Sequence, residues 1–199
     1  MILFLKERRI MKRRMDIKPY IFPMPVLMVA TYGPDGTVDV MNVAWGGACA
    51  SDMIALNISE GHKTSKNIKE RGDFTVALAD AKHIVEADFF GMVSGNRDKD
   101  KFAKSGLTAK KSNLVDAPVI EEFPVTLECH AVDLQHTIYG FRVLGQIKGV
   151  LADADVLDAE GNIDPLKVNA LIFDKFRGDY YTVGKKAGTA WSTGSKLMK

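Results

Sequence analysis

Cysteine is scarce: the 199-residue chain has two, Cys49 and Cys129, and neither stands in a CxxC pair. A disulfide framework is therefore excluded, and a reducing compartment, the cytoplasm, is expected. Each thiol reads as a small buried hydrophobe rather than a reactive group. Long apolar runs are also missing. Nothing approaches the roughly 20 apolar residues of a membrane helix, so no membrane partner is expected. Residues 2–5 are apolar but too few, and too soon followed by charge, for a signal peptide. His83, His130 and His136 lack metal-ligand spacing, so no metal is expected. No GxGxxG follows a strand, which removes a Rossmann cofactor site. Residues 188–192 lack the context of a nucleophile elbow. There is neither an internal repeat nor a low-complexity linker.

The body of the chain also lacks positive charge. Residues 1–14 carry a net +5, so the overall +2 leaves −3 for the remainder. A nucleic-acid-binding body would carry its own basic patch, so no nucleic-acid partner is expected. Residues 1–18 read as a basic extension, with Met11 and Met15 as alternative starts, or as an arm touching anionic lipid or RNA. Residues 19–199 then form one domain. With 46% hydrophobic and 26% charged residues it has the composition of an ordinary globular core.

Residues 26–32 and 37–43 read as strands of a hairpin turning at Gly33-Pro34-Asp35-Gly36. Further strands are expected at 53–59, 74–79, 126–136, 141–151 and 180–183, the two long ones joined around Tyr139-Gly140. Helices are expected at 63–71, 82–91, 99–105 and 165–172. In the second of these, Ile84, Val85, Ala87 and Phe89 or Phe90 are available for an inner face. Helices do not alternate regularly with strands, so a doubly wound parallel sheet is disfavoured. The expectation is mainly β: a six-stranded antiparallel closed or split barrel with helical insertions.

The chemistry concentrates in residues 42–67. Gly46-Gly47-Ala48-Cys49-Ala50-Ser51 is a run of small residues. Small side chains let a flat ligand reach backbone N–H and C=O groups; alternatively, a tight barrel bend needs the glycines for itself. Ser59-x-x-His62-Lys63-Thr64-x-x-Asn67 sits where a strand meets a helix N-terminus. Free N–H groups, the helix dipole and Lys63 suit a terminal phosphate. Alternatively, Thr64 simply caps the helix. One strand of roughly 20 Å separates the two features, enough for a flavin mononucleotide to place its ring at one end and its phosphate at the other.

At these residues the chain resembles the flavoredoxin and flavin reductase-like family, the FMN-binding split barrels with Greek-key-like strand order. The likeness runs from about Tyr20 to Ser192. It is carried by Pro23-x-Pro25-Val26, Asn42-Val43-Ala44-Trp45-Gly46-Gly47, Ser51-Asp52 and Lys63-Thr64-x-x-Asn67-Ile68. Ala87-Asp88-Phe89-Phe90-Gly91, Ser94-Gly95, Asp100-Lys101-Phe102 and Ser105-Gly106-Leu107 extend it. Asp116-Ala117-Pro118, Glu121-x-Phe123-Pro124 and Leu127-Glu128-Cys129 complete it.

The resemblance implies noncovalent FMN and a homodimer whose partner helps wall the site. By position, Asn42, Val43, Ala44, Trp45, Cys49, Ala50 and Ser51 would meet the ring and ribityl chain. Ser59, His62, Lys63, Thr64 and Asn67 would meet the phosphate, with Lys101, Phe102 and Trp191 at the rim. Where the family often carries Arg, this chain has His62, a weaker and pH-dependent cation. The leading functional reading is an oxidoreductase in which NADH or NADPH passes hydride to FMN, with no side chain acting as acid or base. A second reading is a flavoredoxin-type electron carrier serving a redox partner protein. A third is a binding module that has lost its flavin.

Overall fold

A computed structural model describes residues 12–138 and 140–198. Residues 1–11 of the expected basic extension, and Tyr139 of the expected turn, lie outside the described residues.

The N-terminal half contains β1 Met24–Pro25, β2 Leu27–Tyr32, β3 Val38–Val43, β4 Gly46–Ala50 and β5 Met53–Ile58, then α1 Lys63–Arg71 and β6 Asp73–Leu78. Two helices, α2 Ile84–Met92 and α3 Lys101–Ser105, precede the short strands β7 Ala109–Lys111 and β8 Pro118–Ile120. Two long strands follow, β9 Val125–Thr137 and β10 Gly140–Ala152, then α4 Pro165–Val168, β11 Leu171–Asp174 and β12 Asp179–Thr182.

The main sheet is antiparallel and runs β3-β2-β6-β9-β10-β5-β4. Its edge strands, β3 and β4, are consecutive in the chain, so the short link between them brings the two edges of the sheet together. A Cβ on Gly46 would lie 2.7 Å from Leu56 Cδ2 and 3.0 Å from Leu27 Cδ1. Only glycine lets β4 close over β2 that tightly. Helix α1 crosses from β5, beside β10, to β6, between β2 and β9, which is the long return of a Greek key. Ile68 anchors the helix in the barrel interior among Leu27, Phe74 and Phe141.

Strand β2 explains its own unbroken apolar run. Leu27 and Val29 point into the barrel, while Val26, Met28 and Ala30 face an outer layer with Ala87, Phe90 and Ile120. Both faces are buried, so the sequence shows no alternation of polar and apolar residues there.

Four expectations need correction. The main sheet has seven strands, because the small-residue run is itself the edge strand β4. The helix expected over 165–172 spans Pro165–Val168 and stops where Asn169 turns left-handed at φ 49°; the remainder becomes β11, paired with β12. On α2 the buried residues are Ala87 and Phe90, while Ile84 and Val85 are exposed. Cys129 is buried, its thiol pushed up to about 12 by desolvation and then by Glu128, but Cys49 is exposed on β4.

Candidate functional site

Helix α1 begins without a side-chain cap. His62 holds the N-cap position with an extended backbone and no capping hydrogen bond. The first-turn N–H groups therefore open into a cavity of about 400 Å³ lined by Asp39, Met41, Asn42, His62, Lys63, Thr64 and Lys101, with residues 90–95 as its far wall. The loop before the helix is self-supporting, because the Ser59 carbonyl accepts from the Ser65 hydroxyl at 2.6 Å and from the His62 N–H at 3.2 Å.

The hydroxyl of Thr64 is already committed: it donates to Asp39 Oδ2 at 2.6 Å. Thr64 can therefore offer an anion its backbone N–H but not its side chain. Lys63 lies 3.3 Å from Thr37 Oγ1, which leaves other donors of its ammonium free. Asn42 is held from the opposite wall by donating to the Ala87 carbonyl at 3.0 Å.

The sequence reading placed Lys101 only at the rim, yet it lines the cavity and is buried. It is 4% exposed, its Nζ stands 5.5 Å from the Phe90 ring centroid, and the same Nζ donates to the Phe90 carbonyl at 3.0 Å. That carbonyl belongs to the last turn of α2, where a cation is favoured. Among the described residues no carboxylate reaches salt-bridge distance of this ammonium. Burial accordingly lowers its pKa below the ordinary lysine value, with Asp39 and Asp98 acting in the other direction and Lys63 in the same one. A buried cation facing an open cavity at a helix N-terminus suits an anion.

The other expected residues distribute differently. Ala44, Trp45 and Cys49 line a neighbouring groove of about 380 Å³, whose other wall includes Pro19, Ile21 and Pro23. Val43 is buried in the barrel, so it has only backbone to offer. Ala50 and Ser51 are exposed at the end of β4. Ser59 and Trp45 share a third depression with Arg142. Asn67 is turned inward: its amide donates to the Thr31 hydroxyl at 2.9 Å, inside the protein, and it lines none of these spaces. Phe102 stacks on Phe90, and Trp191 stands fully exposed.

An antiparallel barrel with a cation-lined cavity at the N-terminus of its crossing helix, beside a groove built of small residues, defines a class of small-ligand-binding split barrels. The chain belongs to the flavin reductase-like domain family, whose model matches residues 20–174. Among solved structures it is similar to the flavoredoxin of Desulfovibrio vulgaris, at 33% identity over 92% of this chain and 100% of that one, with a TM-score of 0.88. The flavoredoxin of Methanosarcina acetivorans is similar at 26% identity, over 94% and 100% of the two chains, with a TM-score of 0.85. A curated relative, an uncharacterised protein of Aeropyrum pernix, is 28% identical over 137 residues, which is 65% of this chain. The chain spans half the length of that relative. No helix among the described residues is long and apolar enough to cross a membrane.

Proposed function

We propose that this protein binds FMN noncovalently and accepts hydride from NADH or NADPH onto the flavin, acting as a homodimer. The observation that carries the reading is the buried ammonium of Lys101, which shares a cavity with the uncapped N-terminus of α1 and has no carboxylate in contact among the described residues. The site fits a phosphate: first-turn N–H groups, Lys63, His62 and Lys101 would hold it. Backbone groups of residues 42–45 and 49–51 would meet the polar edge of the ring, and the small side chains of β4 would let the ring approach. Bound FMN supplies the redox chemistry, while the protein orients it and tunes its electrostatics. Exposed Tyr20, Phe22, Trp45 and Tyr181 provide apolar surface for a second copy.

The similarity to two flavoredoxins favours a second reading, an electron carrier that holds FMN and exchanges electrons with a protein. Anaerobic mixing of the flavin-loaded protein with NADH and with NADPH separates the two. Rapid bleaching of the visible flavin bands is expected for the reductase. Bound flavin that neither nucleotide bleaches selects the carrier. Failure to retain FMN from excess sinks both.

A further inference from the structure

A further cavity lies elsewhere, about 560 Å³ between segment 110–124 and strands β9 and β10. It shares no lining residue with the Lys101 cavity. Its walls are mostly apolar, with Leu114, Ile120, Phe123 and Leu151 prominent, and Glu128 stands among them.

Glu128 is 3% exposed. Its Oε1 accepts from the Ser112 hydroxyl at 2.5 Å. Ser112 in turn accepts from the N–H groups of Leu114 and Val115, at 2.9 and 3.0 Å. That accounts structurally for one oxygen, which pins the loop. The other, Oε2, has no hydrogen-bond partner and no cation in contact among the described residues. No sealed side-chain oxygen or nitrogen among the described residues lacks a partner, so Oε2 opens to the cavity.

The backbone makes room for this carboxylate. The pairing of β10 with β9 shifts register between Ile147 and Gly149, and Gly149 stands opposite Glu128. A Cβ on Gly149 would lie 2.6 Å from Oε2 and 2.5 Å from Leu114 Cδ1. Bulges of this kind re-aim side chains beside sites. A buried carboxylate is costly unless a cation or several donors meet it. Glu121, Phe123, Pro124 and Glu128, which carry family resemblance but play no part in the flavin reading, line this space.

We propose that this cavity is a second small-molecule site, taking a primary ammonium group on a compact apolar body. The ammonium would donate to Glu128 Oε2, and the body would lie against Leu114, Phe123 and Leu151. The proposal is independent of flavin binding.

The test titrates the full-length protein, with excess FMN present, with benzylammonium and separately with benzyl alcohol. The methyl resonances of Leu114, Ile120 and Leu151 are followed by NMR. Benzylammonium is expected to shift them saturably, with an affinity about tenfold or more above that of the alcohol. Glu128→Gln keeps an acceptor for Ser112 and is expected to erase that preference, leaving the FMN spectrum unchanged. The proposal is overturned if neither probe shifts these methyls, if the alcohol binds equally well, or if the variant keeps the preference. The wild-type comparison of the two probes stands even if the variant does not fold.

Discussion

Two cavities on one barrel differ in the buried charged group that their hydrogen bonds leave open: Lys101 in the first, where Asp39 is already matched to Thr64, and Glu128 in the second. In the first, Lys101 lies at the end of α2 and faces the uncapped start of α1. In the second, Glu128 lies beneath a loop that uses only one of its oxygens. Elsewhere among the described residues buried polar groups are matched: Thr64 to Asp39, Asn67 to Thr31, Thr75 to the Pro118 carbonyl. The contrast separates polar groups whose hydrogen bonds hold the fold together from those with a donor or acceptor left over. By that measure the side chains of Thr64 and Asn67 serve the architecture, while Lys101 faces the candidate site.

The largest perturbation removes what both cavities stand on. Phe74 is fully buried in the barrel interior. Phe74→Ala is expected to cost about 4 kcal/mol in urea denaturation and to weaken ligand binding at both cavities together. If one cavity kept full affinity, the barrel would not be the common support.

Lys101→Met separates the cavities. Keeping the buried stem but losing the charge is expected to lower FMN affinity about 100-fold, while benzylammonium binding at the second cavity is unchanged. The same residue gives a pH signature in the flavin-free protein. Its folded-state pKa lies below the ordinary 10.5 through burial. Between that lowered value and 10.5 the unfolded chain binds the extra proton, so this residue's contribution to stability rises with pH. Below that window the burial penalty is present in full. Wild type minus Lys101→Met should show this slope in alkaline denaturation curves, and bound FMN should flatten it.

Smaller changes sharpen the contrast between matched and unmatched groups. Tyr180 donates to Asp88 at 2.9 Å, and its hydroxyl is pushed up to about 12 by burial and then by Asp88. Tyr180→Phe should cost about 1 kcal/mol of stability, with FMN affinity nearly unchanged. Asp39→Asn keeps an acceptor for Thr64 and removes a negative charge near Lys101. It should tighten FMN severalfold, opposite in sign to Lys101→Met, in fluorescence titration. A loss of affinity instead would make Asp39 part of the binding set.

Much of this was legible in the sequence. The β2–β3 hairpin, α1 with its Gly72 stop, and the β9–β10 pair announce themselves through turn chemistry and apolar patterning. Strand β4 did not, because Gly46-Gly47-Ala48-Cys49-Ala50 has no alternation for a period of two to act on. Strand β11 was hidden because Asp164 and Pro165 signal a helix start, whereas the stop depends on Asn169 turning left-handed. At the site, His62 and Lys63 were readable from their position before a helix. Lys101 reaches the same cavity from another helix, and only the tertiary packing of α2 against α3 shows how deeply it is buried. Asn67 was expected at the phosphate from the motif at the helix start and from the resemblance, but a motif does not say which side of α1 faces the barrel, and its amide donates to Thr31.

The central claim is that the cavity between α1 and Lys101 is built for the phosphate of FMN. Equilibrium binding of FMN and of riboflavin, to wild type and to Lys101→Met, tests it most directly. The account predicts FMN about 100-fold tighter than riboflavin in wild type, with most of that ratio lost in the variant. Equal binding of the two flavins by wild type, or a ratio that survives the substitution, would contradict it.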